Sequence, residues 1–168
     1  RQTRWWPGLN QNWQTRGANH LLGYNEPDNS VEANIAVSDA IWSWPDLLGT
    51  GLRVGSPAPT DGGRSSWLYP FIQQADAADL RVDFVAVHYY WCYNPSNASG
   101  AATQMYNFLK EVHDNTGRTI WVTEWNNGAN WTTGCADPTY AQQADAIGKT
   151  SDMLDSTPWG ERYAIYNW

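Results

Sequence analysis

Short apolar runs alternate along this chain with stretches in which apolar residues recur every three or four positions. The short runs predict five β-strands, each bounded by glycine, proline or polar residues that favour turns. The predicted strands span residues 20–24, 52–56, 83–89, 119–123 and 162–168. The third is apolar almost throughout, which is typical of a parallel strand that is buried on both faces.

Helices are predicted in the intervals between strands, because the apolar spacing there is that of one helical face. We expect the first helix to follow Ser30, which would serve as its N-cap, and to end near Pro45 and the turn Gly49-Thr50-Gly51. The residues expected to form the apolar faces of the next three helices are Trp67, Leu68, Phe71, Ile72 and Ala75; Met105, Phe108, Leu109 and Val112; and Tyr140, Ala144, Ile147, Ser151 and Leu154. This alternation predicts an α/β fold with a parallel sheet.

The length of the chain limits which α/β fold it can form. With 168 residues and no break in composition, residues 1–168 are expected to form a single domain. A complete (β/α)8 barrel typically takes about 250 residues, so five strands would supply only part of one. Two architectures remain open: an open doubly wound sheet, or an incomplete (β/α)8 TIM-type barrel that contains strands 4 to 8.

Two glutamates occupy positions where an α/β barrel carries its chemistry. Glu26 follows the first predicted strand in the run Leu-Leu-Gly-Tyr-Asn-Glu-Pro-Asp, and Glu124 follows the fourth in Ile-Trp-Val-Thr-Glu-Trp. Residues at the C-terminal ends of barrel strands form the active sites of such enzymes. A single glutamate at a strand end is more often a solvated loop residue. Two of them, however, provide the acid and the nucleophile or base that glycoside hydrolysis requires.

Composition supports a carbohydrate ligand and argues against other partners. The chain contains 12 tryptophans, and aromatic residues make up 14% of it. Flat aromatic side chains pack on the C–H faces of sugar rings in binding pockets, although any one tryptophan can equally fill the core. The formal net charge of −7 argues against a nucleic-acid partner. No apolar run is long enough to predict a membrane-spanning helix.

The sequence also shows no signature of a metal or another cofactor. No cluster of Cys and His has the spacing of metal ligands, and Gly62-Gly63 indicates a turn rather than a phosphate-binding loop. Cys92 and Cys135 lie in predicted loops, where we expect one disulfide; two unrelated thiols are the alternative. The chain starts at Arg1 without a signal peptide, so we expect a processed product or a fragment of an extracellular or cell-wall-associated protein.

Five segments, in this order, resemble glycoside hydrolase family 128, the endo-β-1,3-glucanases related to the alkali-sensitive-linkage protein. They are Leu-Leu-Gly-Tyr-Asn-Glu-Pro-Asp at 21–28, Gly-Ser-Pro-Ala at 55–58, Asp-Phe-Val-Ala-Val-His-Tyr-Tyr at 83–90, Trp-Val-Thr-Glu-Trp at 121–125 and Tyr-Ala-Ile-Tyr-Asn-Trp at 163–168. The resemblance covers the last five βα units, and the family's first three units and final helix have no counterpart. It implies a (β/α)8 barrel, a β-1,3-glucan substrate and a retaining mechanism, with Glu26 as acid/base and Glu124 as nucleophile.

Further residues are expected to assist the two glutamates. Asn25 precedes the acid and is a candidate to bond the sugar 2-hydroxyl. His88 and Tyr90 are candidate hydrogen-bond donors to the second glutamate, although a histidine in such a strand is more often structural. With Tyr90, Trp125 and Trp168 are expected to line the sugar-binding groove, and Trp168 would form its floor. The competing interpretations are a glucan-binding protein without catalysis and an inactive, truncated barrel.

Overall fold

The computed structural model of this chain describes residues 16–91, 94–127 and 138–166. These residues form an α/β fold with parallel sheets, as the sequence predicts. The chain divides into two compact units, Arg1–Val87 and His88–Trp168.

The predicted Cys92–Cys135 disulfide and the predicted Trp168 platform lie outside the described residues and stay predictions.

The first unit is built on two short parallel strands. β1 (His20–Leu22) pairs with β2 (Arg53–Gly55). An isolated parallel bridge between Asn25 and Ala58 continues this pairing past the ends of both strands. Both strands are shorter than the apolar runs that predicted them. Beyond their ends the pairing is no longer continuous and consists of this isolated bridge.

The helix between these strands begins later than predicted, whereas its end at Leu48, directly before Gly49, agrees with the prediction. α1 spans Val37–Leu48, so it begins well after Ser30 and continues through Pro45. The residues before it form turns, and Asn34 adopts a left-handed conformation (φ 45°) that interrupts a right-handed helix. Pro45 has no backbone N–H to donate, but its carbonyl still accepts from the N–H of Gly49, which closes the last turn.

The second helix confirms its predicted apolar face. It opens with a π-helical turn, Arg64–Leu68, and continues as α2, Tyr69–Ala77. All five residues predicted for the face are buried: Trp67, Leu68, Phe71, Ile72 and Ala75. Phe71 contacts two indoles, stacked on Trp67 at 5.3 Å and edge-on to Trp44 of α1 at 4.9 Å. These aromatic contacts hold α1 and α2 together in the core of the first unit.

The second unit carries most of a three-stranded sheet with the order β3-β4-β5. β3 spans Val85–Trp91, β4 spans Ile120–Asn127 and β5 spans Gly160–Ile165. β4 and β5 pair in parallel, with irregularities in their register. β3 and β4 both extend past their predicted ends, because the polar and aromatic residues there still take strand conformation. Glu124 therefore lies within β4 rather than in a loop after it.

Two helices connect these strands, α3 at Ala98–Thr116 and α4 at Tyr140–Asp155. α3 buries its predicted face and ends at Gly117, whose left-handed conformation (φ 65°) is typical of a glycine after a helix. The face predicted for α4 is wrong at Tyr140, which is 96% exposed, and correct at Leu154, which is buried. Besides Leu154, the buried residues of α4 are Ala146 and Thr150, which were not predicted. Because one of these buried residues is a threonine, apolar spacing alone did not predict the complete buried face of α4.

None of the helices in the described ranges is both long enough and apolar enough to cross a membrane.

Candidate active site

Glu124 of β4 receives a hydrogen bond from the neighbouring strand. The hydroxyl of Tyr90, on β3, donates to Glu124 Oε2 at 2.6 Å. Nδ1 of His88 lies 3.6 Å from the same oxygen, which is longer than a hydrogen bond but within ion-pair range when the imidazole is protonated. His88 and Tyr90 are two positions apart, so both side chains project from the same face of β3. The sequence of β3 thus brings two polar side chains to one carboxylate.

The carboxylate of Glu124 remains accessible while its neighbour is covered. The Glu124 side chain is 20% exposed, and the His88 side chain is fully buried. A hydroxyl that donates to an ionised carboxylate forms a charge-assisted bond, which is shorter and stronger than a bond between neutral groups. The arrangement therefore suits a carboxylate whose negative charge is supported at one oxygen and which a ligand can still reach.

Tyr90 is itself held between two other rings. Its ring meets the ring of His88 edge-on at a centroid distance of 6.2 Å and the ring of Tyr166 at 6.0 Å. The backbone N–H of Tyr166 donates to the carbonyl of Trp125 at 3.0 Å, which ties the residue after β5 to β4. Sequence reasoning does not identify Tyr166 as a site residue, although it lies in the closing segment that resembles family 128.

Trp125 follows Glu124 on β4, next to an irregularity in the pairing of β4 with β5. Trp125 is only 1% exposed, so its ring is buried. The role predicted for it as a wall of the sugar groove stays a prediction. The next residue, Asn126, connects two elements, since it donates to the carbonyl of Tyr166 at 2.8 Å and accepts from Gln143 of α4 at 3.2 Å.

Glu26 lies in the first unit, in the loop that follows β1. Its backbone N–H donates to the carbonyl of Ala58 at 2.8 Å, directly beside the bridge between Asn25 and Ala58. Glu26 has a φ of 39°, in the left-handed region that residues other than glycine rarely occupy. Strain of this kind is concentrated at functional sites, where the surrounding contacts maintain it.

Two residues that sequence reasoning misses hold the side chains of this loop. Nδ2 of Asn29 donates to Glu26 Oε2 at 2.7 Å, and Nδ2 of Asn25 donates to Glu32 Oε2 at 3.2 Å. Oδ1 of Asn25 is buried and accepts no hydrogen bond from the part of the chain that the structure describes. A carbonyl oxygen in this state can accept from a ligand hydroxyl. Asn29 and Glu32 lie in the short polar turn after Glu26, but that position alone does not single them out in the sequence.

Asp28 fixes the same loop to the segment after β2. Its carboxylate accepts from the backbone N–H of Thr60 at 2.9 Å and from the Thr60 hydroxyl at 2.5 Å. Gly63 approaches so closely that a Cβ there would lie 2.2 Å from Asp28 Oδ2. The loop that carries Glu26 is therefore anchored at several points rather than held by β1 alone.

The expected site residues fall into two groups. Asn25 and Glu26 belong to the first unit, and His88, Tyr90, Glu124 and Trp125 belong to the second. Within the described ranges, no three or more His, Cys, Asp or Glu side chains are grouped so that they could hold a metal ion. The separation of the two carboxyl groups, about 5–5.5 Å in a retaining glycosidase, stays a prediction.

Comparison with known proteins decides the family. The family model described as glycosyl hydrolase catalytic core matches residues 2–167. The chain belongs to this family. No curated protein matches this glycosyl hydrolase.

Solved structures of family 128 enzymes are similar to this glycosyl hydrolase over most of its length. A subgroup I endo-β-1,3-glucanase from Amycolatopsis mediterranei, in complex with laminaritriose, is 35% identical with a TM-score of 0.83; the match covers 94% of this chain and 66% of that one. A subgroup III curdlan-specific exo-β-1,3-glucanase from Blastomyces gilchristii is 25% identical with a TM-score of 0.71, over 90% of this chain and 63% of that one.

A third structure supports the fold alone. It is a subgroup II endo-β-1,3-glucanase from Pseudomonas viridiflava, 24% identical with a TM-score of 0.73, over 95% of this chain and 62% of that one. The resemblance to family 128 that the sequence shows is confirmed. This glycosyl hydrolase spans about two thirds of the length of the Amycolatopsis enzyme, 66%, and somewhat less of the other two.

Proposed function

We propose that this glycosyl hydrolase cleaves β-1,3-glucan by a retaining mechanism, with Glu124 as nucleophile and Glu26 as acid/base. The observation that carries the proposal is the 2.6 Å hydrogen bond from Tyr90 to Glu124. It occurs in a chain that is 35% identical to an endo-β-1,3-glucanase solved with laminaritriose. Because the chain spans 66% of that enzyme, the proposal concerns the protein in its catalytically competent form.

The surroundings of Glu124 support the role of nucleophile. A nucleophilic carboxylate has to be ionised and to reach the anomeric carbon. The Tyr90 hydroxyl supports the negative charge at Oε2, and the nearby His88 would add to this support when protonated. The second carboxylate oxygen is then the atom that attacks, and the partial exposure of the side chain is consistent with access to a sugar.

The surroundings of Glu26 support the role of acid/base. It lies in the Asn-Glu-Pro segment that resembles the acid context of family 128, and Pro27 restricts the backbone directly after it. Two variants of the Amycolatopsis enzyme that are solved with laminari-oligosaccharides each replace a glutamate with alanine. The sequence separation of those two glutamates differs by one position from the separation of Glu26 and Glu124.

These roles define a two-step reaction. Glu124 attacks the anomeric carbon while Glu26 gives its proton to the departing glycosidic oxygen, and a covalent glycosyl-enzyme forms. Glu26, now ionised, takes a proton from water, and the water oxygen displaces Glu124 from the anomeric carbon. Each step inverts that carbon, so the product keeps the β configuration. Asn25 Oδ1 is the candidate acceptor for a sugar hydroxyl during both steps.

Two finer features belong to the same proposal. We infer an endo mode of cleavage, because the subgroup I relative at 35% identity is an endo-glucanase, whereas the subgroup III relative at 25% is an exo-glucanase. We also infer that β1 to β5 correspond to strands 4 to 8 of a (β/α)8 barrel, since the chain matches about two thirds of the family 128 structures. β-Glucan is the partner that this reaction requires.

The test is hydrolysis of laminarin and laminarihexaose, followed by reducing-end release and by 1H NMR of the first products. We expect mixed oligosaccharides whose new ends are initially β, and no release by Glu124→Gln. Initial α-anomers would refute the retaining mechanism, and glucose as the sole early product would refute the endo mode. Calorimetric binding without turnover in the unmodified protein would favour the non-catalytic glucan-binding alternative.

A further inference from the structure

We propose that Asn29 is a positioning residue that sets which oxygen of Glu26 carries the catalytic proton. The proposal rests on the acid/base role assigned to Glu26 above. Asn29 is not part of the Asn-Glu-Pro segment, and it would act through Glu26 rather than on the sugar.

The amide of Asn29 has only one orientation that satisfies its contacts. Its Oδ1 accepts from the backbone N–H of Val31 at 3.2 Å, and its Nδ2 donates to Glu26 Oε2 at 2.7 Å. A reversed amide would point an NH2 group at the Val31 N–H and an oxygen at the Glu26 carboxylate, so both contacts would become repulsive. The Val31 N–H can only donate, so it binds Oδ1 of Asn29. This leaves Nδ2 of Asn29 directed at Glu26.

The backbone of Asn29 supports the same geometry. Its N–H donates to the carbonyl of Glu26 at 3.0 Å, which closes the turn between the two residues. Glu26 needs such support because its left-handed backbone (φ 39°) is costly for a glutamate. The side chain and the main chain of Asn29 therefore both act on the residue that has to hold a proton in a fixed place.

The consequence for catalysis concerns the two carboxyl oxygens of Glu26. Oε2 is engaged as an acceptor of the Asn29 amide, which favours the proton on Oε1. A general acid works only when its proton lies within hydrogen-bond reach of the leaving oxygen, and misplacement by about 1 Å can cost roughly 100-fold in rate. Asn29 would fix the plane of the carboxyl so that Oε1 meets the glycosidic oxygen.

Asn29→Asp is the informative substitution. Aspartate keeps an oxygen acceptor for the Val31 N–H and replaces the Nδ2 donor with a second oxygen, so the turn is retained while the bond to Glu26 is lost. Asn115→Asp is the matched control, because the Asn115 amide also donates a hydrogen bond, to the carbonyl of Glu111, at an exposed site in the last turn of α3. Thermal unfolding would verify that both variants remain folded.

The readout is kcat/KM on two substrates, which reports the first chemical step. Laminarihexaose has a poor leaving group that needs the acid, whereas 2,4-dinitrophenyl β-laminaribioside has a leaving group that departs almost without protonation. For Asn29→Asp we expect a loss of about 10- to 100-fold on the hexaose and less than about threefold on the aryl glycoside. Asn115→Asp should change neither value by more than about twofold. An equal loss on both substrates, or no loss, would overturn the positioning role.

A second measurement does not depend on turnover. 13C NMR titration of the Glu26 carboxyl should give a higher midpoint in Asn29→Asp, because the variant removes a donor to the carboxylate and adds a negative charge beside it. The Asn115→Asp control should leave the midpoint unchanged. Inactivity of the unmodified protein on both substrates would refute the proposed function, whereas an unshifted Glu26 midpoint in Asn29→Asp would refute the role of Asn29.

Discussion

Tyr90 and Glu124 are joined by a hydrogen bond between neighbouring strands, with the tyrosine hydroxyl 2.6 Å from Glu124 Oε2. Tyr90 is the penultimate residue of β3, and Glu124 lies in the second half of β4. The C-terminal ends of parallel strands are where α/β enzymes carry their active sites. The tyrosine is also wedged edge-on between two rings, so its hydroxyl is held toward the carboxylate.

Tyr90→Phe removes only this hydroxyl. A hydrogen bond to a charged group contributes about 1.5–3 kcal/mol, so we expect kcat/KM on laminarihexaose to fall by roughly 10- to 100-fold. Tyr163→Phe is the control, because it removes a comparable tyrosine-to-carboxylate bond, 2.9 Å to Asp155, at the surface. Steady-state kinetics on both variants would check this, and equal losses in the two would contradict a special role for Tyr90.

The sequence predicts elements well where burial is apolar and continuous. The faces of α2 and α3 were correct because residues such as Phe71 and Met105 are fully buried and nothing polar replaces them in the helical repeat. The order of strands and helices follows from the same signal. The predicted start of α1 and part of the predicted face of α4 were wrong, because the left-handed Asn34 and the buried Thr150 depend on local backbone and packing conditions that apolar spacing does not record.

The candidate site was predictable only in part, for a related reason. Glu26 and Glu124 could be singled out because each stands at the end of an apolar run, which is visible in one dimension. Tyr166 and Asn29 could not, because their value lies in which atoms they meet: the ring of Tyr90 and the carboxylate of Glu26. Which side chains meet depends on the strand register and on the turn conformations. The spacing of polar residues in the sequence does not predict either.

Trp44→Phe should destabilise the protein. The Trp44 ring is fully buried and its Nε1–H donates to the carbonyl of Arg81 at 2.9 Å, so the substitution loses ring volume and removes a partly buried hydrogen bond. Together these effects should cost about 2–4 kcal/mol. For a chain of this size that corresponds to a fall in Tm of roughly 4–16 °C, measurable by circular dichroism.

Trp42 provides the control for this prediction. It lies two positions earlier in α1 and is 80% exposed. Trp42→Phe should therefore change the free energy of unfolding by less than about 0.5 kcal/mol. If both substitutions lower Tm equally, the effect comes from the helix itself and not from the buried indole.

Cys92 and Cys135 are predicted to form a disulfide between the loops after β3 and β4. Such a bridge would close a loop of about 40 residues and contribute roughly 3–4 kcal/mol through the entropy of the unfolded chain. Titration of free thiols in the unfolded, unreduced protein should give none, and reduction should lower Tm. Two titratable thiols per chain would refute the bridge, and with it one reason to expect an oxidising, extracellular location.

The roles of the two glutamates can be separated by replacing each with alanine in the catalytically competent protein. Each loss should lower kcat by several orders of magnitude on laminarihexaose, since each residue has a distinct covalent or proton-transfer role. Glu124→Ala leaves a space where the nucleophile stood, so azide should attack the anomeric carbon directly. The expected product is a glycosyl azide of inverted, α configuration.

Glu26→Ala should behave differently, because the nucleophile is still present. An aryl glycoside with a good leaving group should form the glycosyl-enzyme without acid assistance, and the second step should then stall for lack of a base. Azide needs no base, so it should release the stalled intermediate as a β-glycosyl azide with net retention. NMR of the azide products distinguishes the two outcomes. The opposite pattern of azide products would exchange the roles of Glu26 and Glu124. If the unmodified enzyme gives an α product with water, a covalent intermediate on either residue is excluded.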